Sequence, residues 1–164
     1  MNDFEREFAM RILLPVDGSE ASLEAVRHAL DLVRDGLRAS FVLANVQEPA
    51  TLYEIVRAHD AEVIEHVSSA AGATALEAAQ TLLLAAGVEF ETEIGSGDPG
   101  HTLVEIVEGF GCNLVIMGAR GVGASDTEGG GGVFELSVAA LGSVALSVLE
   151  DCAVAVQIVK HRQS

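Results

Sequence analysis

The chain has 164 residues, enough for one domain that closes its own core without metals or disulfides as staples. Its formal charge is −16 and Lys160 is its only lysine, which excludes a phosphate-neutralising nucleic-acid surface and an anionic membrane surface as partners. Apolar residues make up 49% of the chain but aromatics only 4%, so the core is built from Val, Leu, Ile and Ala, the material of a buried parallel sheet under Ala-rich helices.

The opening run Met1–Met10 carries Asp3, Glu5, Arg6 and Glu7 and has no apolar stretch of signal-peptide length. Residues 1–10 read as an N-terminal extension, with Met1 or Met10 as the start, and residues 11–164 as a single domain. No later segment reaches the roughly 18 apolar residues of a membrane span, so a cytoplasmic protein is expected. Cys112 and Cys152 are too few for a metal knuckle and read as reduced, buried thiols.

Arg11–Asp17 is an apolar run ending in Asp-Gly-Ser, a strand followed by a turn with a helix cap at Ser19. Leu23, Val26, Leu30 and Val33 recur at helical spacing, which predicts an amphipathic helix from about residue 20 to Gly36. A second strand follows over Ala39–Val46 and stops near Pro49. Thr51–Ala86 is helical in composition, as one kinked helix or two pieces, with Ser68–Gly72 weakening its middle. Val88–Ile94 alternates Val88, Phe90, Thr92 and Ile94 with Glu89, Glu91 and Glu93, the pattern of an edge strand with one wet face. Asp98-Pro99 starts the next helix, with Leu103, Ile106 and Val107 facing inward and Gly109 at its end. Asn113–Met117 is an apolar strand, Val133–Leu149 a helix and Ala153–Val159 a last strand. Strands that alternate with helices in this way pair in parallel through right-handed crossovers, with helices on both faces.

Met117-Gly118-Ala119-Arg120-Gly121 follows an apolar strand, and Leu141-Gly142-Ser143-Val144 lies beyond a polar loop. Glycines at such points let backbone N–H groups approach a phosphate, and a helix dipole and a serine hydroxyl add to the attraction. Glycines after a strand also serve simply to turn the chain.

The arrangement resembles the universal stress protein family, whose nucleotide-binding members carry Gly, two residues, Gly, nine residues, then Gly-Ser or Gly-Thr. Gly118-Ala119-Arg120-Gly121 is similar to the first half and Gly142-Ser143 to the second. Ile12–Ser19 looks like the family's first strand and turn, and Gly97-Asp98-Pro99 and Leu114–Gly118 like its later blocks, so the resemblance runs from Arg11 to Lys160. It implies a doubly wound five-stranded parallel sheet in the order 3-2-1-4-5, of the adenine nucleotide hydrolase-like kind. It also implies an ATP-binding stress-response regulator. Asp17 would then lie beside the nucleotide, Val46 against the adenine, and Pro15 and Val16 along the base pocket. Met117, Gly118, Arg120, Gly121, Gly142, Ser143 and Val144 would surround ribose and phosphates. Asp17 also suits a plain turn, since Asp-Gly favours turns. The resemblance further implies a homodimer in which the last strands pair antiparallel, and an unidentified regulatory protein partner.

The chain departs from the family spacing: twenty residues separate Gly121 from Gly142, about eleven more than the motif asks for. They include Asp126, Glu128 and the glycines Gly129–Gly132, which would form a flexible acidic flap and favour Mg²⁺ beside the phosphates. An alternative reading is a family member that has lost the nucleotide and acts by protein contacts. Neither a P-loop lysine nor a glycine fingerprint after the first strand is present, which argues against a P-loop ATPase and a dinucleotide-binding dehydrogenase. At most slow ATP hydrolysis is expected. His59 and His66, with Glu62 and Glu65 between them, read as a solvated helix face rather than a metal site. The first and fourth strands are expected side by side at the switch point of the sheet, and a bulky residue at Gly118 is expected to abolish binding with the fold intact.

Overall fold

The structure is a computed structural model; it describes residues 9–48, 61–119 and 141–160, with 61–69 as backbone only. In chain order the elements are β1 (Met10–Pro15), α1 (Glu20–Arg34), β2 (Ala39–Gln47), α2 (Ala61–Ala86) and β3 (Phe90–Ser96). They continue as α3 (Pro99–Phe110), β4 (Leu114–Gly118), α4 (Ser143–Asp151) and β5 (Ala155–Val159). The five strands form one parallel sheet in the order β3-β2-β1-β4-β5, as the resemblance implied.

The sheet is covered on both faces, which is why β1 buries three consecutive residues, Ile12, Leu13 and Leu14, completely. Ile12, Leu14 and Val16 pack with Ala25, Val26 and Ala29 of α1 and Leu76, Ala79 and Leu83 of α2. Leu13, Val115 and Met117 pack on the opposite face with Leu103, Ile106 and Val107 of α3 and Ala145 and Val148 of α4. The winding therefore reverses between β1 and β4. The helices that follow these two neighbouring strands leave on opposite faces of the sheet.

Several boundaries differ from the sequence reading, each for a local reason. α2 runs through Ser68–Gly72 as one helix. Gly72 is required there, because a Cβ would stand 2.6 Å from Ile94 Cγ2 on β3. Residues 51–60 lie outside the described residues. Val88 belongs to the turn after α2, where its N–H donates to Leu83 O, so β3 starts at Phe90. β3 is an edge strand as expected, but its alternation is imperfect: Thr92 is exposed and Glu93 half-buried. α3 begins as read, with Asp98 Oδ2 accepting from His101 N at 3.0 Å and Pro99 in the first position. It passes through Gly109 and stops at Gly111, whose φ of 65° no other residue type adopts easily. The helix expected over Val133–Leu149 is not continuous: α4 starts at Ser143, and Gly142 before it is extended (φ −69°, ψ 161°). Residues 133–140 lie outside the described residues.

Candidate binding site at the strand switch

β1 and β4 are paired directly, with Leu13 opposite Val115. Because their helices diverge, the C-terminal ends of these strands leave a crevice between them, the usual ligand position in an open α/β sheet. Pro15, Val16 and Asp17 come to this end from β1, Val46 from β2, Met117 and Gly118 from β4, and Gly142, Ser143 and Val144 from the start of α4.

The two halves of the glycine pattern meet. Gly142 N–H donates to Ala119 O at 2.7 Å, and Ala119 N–H donates to Val159 O at 3.1 Å. The long segment between them thus leaves and re-enters the fold at points one hydrogen bond apart. Arg120, Gly121 and the acidic stretch with Asp126 and Glu128 lie outside the described residues.

Helix starts differ in a way that bears on charge. α1 is capped by Ser19, whose Oγ accepts from Ser22 N at 3.2 Å, and α3 by Asp98. α4 has glycine at its cap and no side chain bonded to its first turn. Its leading N–H groups and the positive end of its dipole face the strand ends, with the exposed Ser143 hydroxyl in its first position.

Gly118 is forced to be glycine by the close approach of α1: a Cβ would lie 2.8 Å from Ala21 O and 2.9 Å from Ala21 C. The obstacle is main chain and cannot swing aside. The expectation that a bulky residue at 118 leaves the fold intact is therefore corrected. Met117 is buried on the opposite, α3–α4 face, and Val144 packs on the same cluster as Met117.

With this geometry in place, a family comparison decides the ancestry: residues 9–160 match the universal stress protein family. The chain belongs to the universal stress protein family. A universal stress protein of Synechocystis is 30% identical over 118 residues, covering 72% of this chain and 71% of its own length. One from Methanocaldococcus jannaschii is 28% identical over 111 residues, 68% of this chain, and the chain spans 65% of that relative's length. Among solved structures, the universal stress protein UspA from Lactobacillus plantarum superposes with a TM-score of 0.69 at 22% identity, covering 92% of this chain and 97% of its own. A family protein from Arabidopsis thaliana solved with AMP bound gives 0.62 at 17%, covering 93% and 92%. A universal stress protein in complex with cAMP gives 0.56 at 25% identity, covering 93% and 97%.

Asp17, carried over from the family as a nucleotide neighbour, is exposed, and its Oδ1 accepts from Ser19 N at 2.9 Å. This is the turn-forming role that Asp-Gly favours. Two residues of the site, Asn45 and its partner Gln47, escaped the sequence reading. Asn45 is only 3% exposed; its Nδ2 donates to Val16 O at 2.8 Å and its Oδ1 accepts from Gln47 Nε2 at 2.5 Å. The signal was available: Asn45 is the lone amide in the apolar run Phe41–Val46, and a buried amide demands partners.

Away from the crevice, a cleft of about 480 Å³ opens at the opposite end of the sheet, beside Arg11, Phe41, Glu89 and Glu91, where Arg11 is ion-paired with Glu91. Among the described residues no group of three His, Cys, Asp or Glu side chains could hold a metal, and no helix is long and apolar enough to cross a membrane. His59 and the side chains of Glu62, Glu65 and His66 lie outside the described residues.

Proposed function

We propose that the protein is a stress-response regulator that binds an adenine nucleotide in the crevice between β1 and β4. The observation that carries this reading is the Gly142–Ala119 hydrogen bond, which sets the uncapped start of α4 beside the end of β4 despite the lengthened segment between them. Bare N–H groups, a helix dipole and a serine hydroxyl together suit a phosphate.

The base has a matching edge. Along β2, Phe41 and Gln47 direct their backbone groups to the β3 side, while Ala44 accepts from Val16 N at 2.8 Å on the β1 side. Val46 follows Ala44 in this alternation, so its N–H and C=O point past the end of β1. One donor beside one acceptor complements the ring nitrogen and exocyclic amine of adenine. The related protein solved with cAMP supports the same class of ligand.

ATP is the nucleotide this reading favours, held by Pro15, Val16, Asp17, Val46, Met117, Gly118, Gly142, Ser143 and Val144, with Arg120 and Gly121 completing the turn. Mg²⁺ would offset the repulsion between the phosphates and Asp126 and Glu128. A cytoplasmic homodimer paired through β5, with a regulatory protein partner, completes the proposal. Mass spectrometry of small molecules released from the denatured protein, followed by calorimetric titration of ATP and AMP with and without Mg²⁺, tests it. Absence of released nucleotide together with flat titrations would favour a member that acts only by protein contacts.

A further inference from the structure

We infer that Asn45 is a positioning residue that holds the Val46 backbone edge open, by drawing Val16 O to its side-chain amide in place of Val46 N–H. The inference rests on the reading that the base docks at Val46. The β1–β2 pairs stop at Pro15 opposite Ala44, and the last backbone bond is Val16 N–H to Ala44 O. In a parallel ladder the next bond would run from Val46 N–H to Val16 O. Instead Val16 O accepts the Asn45 side-chain amide at 2.8 Å.

The amide is locked in that pose. A carbonyl oxygen only accepts, so the group facing Val16 O must be the NH₂ of Asn45, which leaves Oδ1 to the Gln47 side-chain amide N–H. α2 backs it closely, since a Cβ on Gly72 would lie 3.1 Å from Asn45 Oδ1. Gln47 is tied in turn to the β3–α3 turn, where Gly97 N–H donates to Gln47 O at 3.1 Å. The side chain thereby satisfies the end of β1 without lengthening the ladder, and the donor and acceptor of Val46 stay on the crevice side.

Replacing Asn45 by valine removes the amide and keeps a strand-forming side chain. Val16 O is then free for Val46 N–H, and the ladder should extend by one bond. Amide hydrogen exchange followed by NMR on the nucleotide-free protein should show Val46 exchanging fast in the wild type and at least tenfold slower in Asn45→Val, while AMP affinity falls at least tenfold. A general loss of stability would speed exchange, so the sign separates positioning from mere structural support. Asn45→Ala provides the same two readings if the valine variant does not fold. A Val46 amide already protected in the wild type, unchanged or faster exchange in the variants, or unchanged AMP affinity would overturn the inference. The expected exchange result with no AMP binding by the wild type would sink the nucleotide reading and still support the ladder-opening role of Asn45.

Discussion

Gly118 and Ala21 approach so closely that a methyl group on the glycine would come within 2.8 Å of the alanine carbonyl oxygen. This contact seats the first turn of α1 against the end of β4. Gly118→Ala should therefore cost about 1–3 kcal/mol, as overpacking does. For a chain of this size that lowers the melting temperature by about 2–4 °C per kcal/mol. Thermal and urea melts of the variant check it, and unchanged stability would mean that α1 can back away freely.

Gly109 and Gly111 offer a paired test, since neither has a neighbour within 4 Å of an added Cβ. Gly109 sits inside α3, so Gly109→Ala should stabilise by about 0.5–1 kcal/mol. Gly111 has φ 65°, so Gly111→Ala should destabilise by about 1–2 kcal/mol. Urea midpoints that move in the same direction for both variants would contradict the assigned end of α3.

Ser143 and Asp17 separate binding from folding. Ser143 is exposed at the start of α4, and Ser143→Ala should weaken ATP binding about tenfold, the value of one hydrogen bond to a charged group, without lowering the melting temperature. Asp17→Asn keeps the acceptor for Ser19 N–H, so stability should stay within about 0.5 kcal/mol. Any change in nucleotide affinity then reports the lost charge, and calorimetry on both variants measures it.

Burial pushes the Cys112 thiol above its ordinary value of 9.0, with the neighbouring Cys152 adding to the shift and Arg11 opposing it. Cys112 should be alkylated much more slowly than the half-buried Cys152, as peptide mapping after iodoacetamide will show. A raised folded value means that the unfolded chain loses this proton first. Stability is therefore full below about pH 9 and falls as pH rises from there through the raised folded value. Cys112→Ala should flatten that decline in urea midpoints taken between pH 8 and about 10.5.

Strand and helix order and the parallel pairing were legible because periodicity and the caps at Ser19 and Asp98 are local signals, whereas the β1–β4 switch was implied only by the family resemblance. What depended on tertiary approach was not legible. Gly109 and Gly111 look alike in sequence, and only backbone geometry says which one ends α3. Gly72 reads as a helix weakener until Ile94 is seen against it. The extended Gly142 breaks what composition presents as one helix from Val133, because its N–H is committed to Ala119. The lone amide of Asn45 in an apolar run signalled a buried polar group, but its partner, a carbonyl 29 positions earlier, was set only by the fold.

The two borders of the sheet are unlike. β3 carries Glu91, which is ion-paired with Arg11, and Glu93, whereas β5 is Ala-Val-Gln-Ile-Val. Charged side chains on an edge strand discourage strand addition, so β5 is the border better suited to a second sheet. Self-pairing through β5 would use up the more adhesive border of each copy and leave the two charged ones outward. Growth would then terminate at a pair, and the same carboxylates that make the chain so acidic would act as a stop against filament formation.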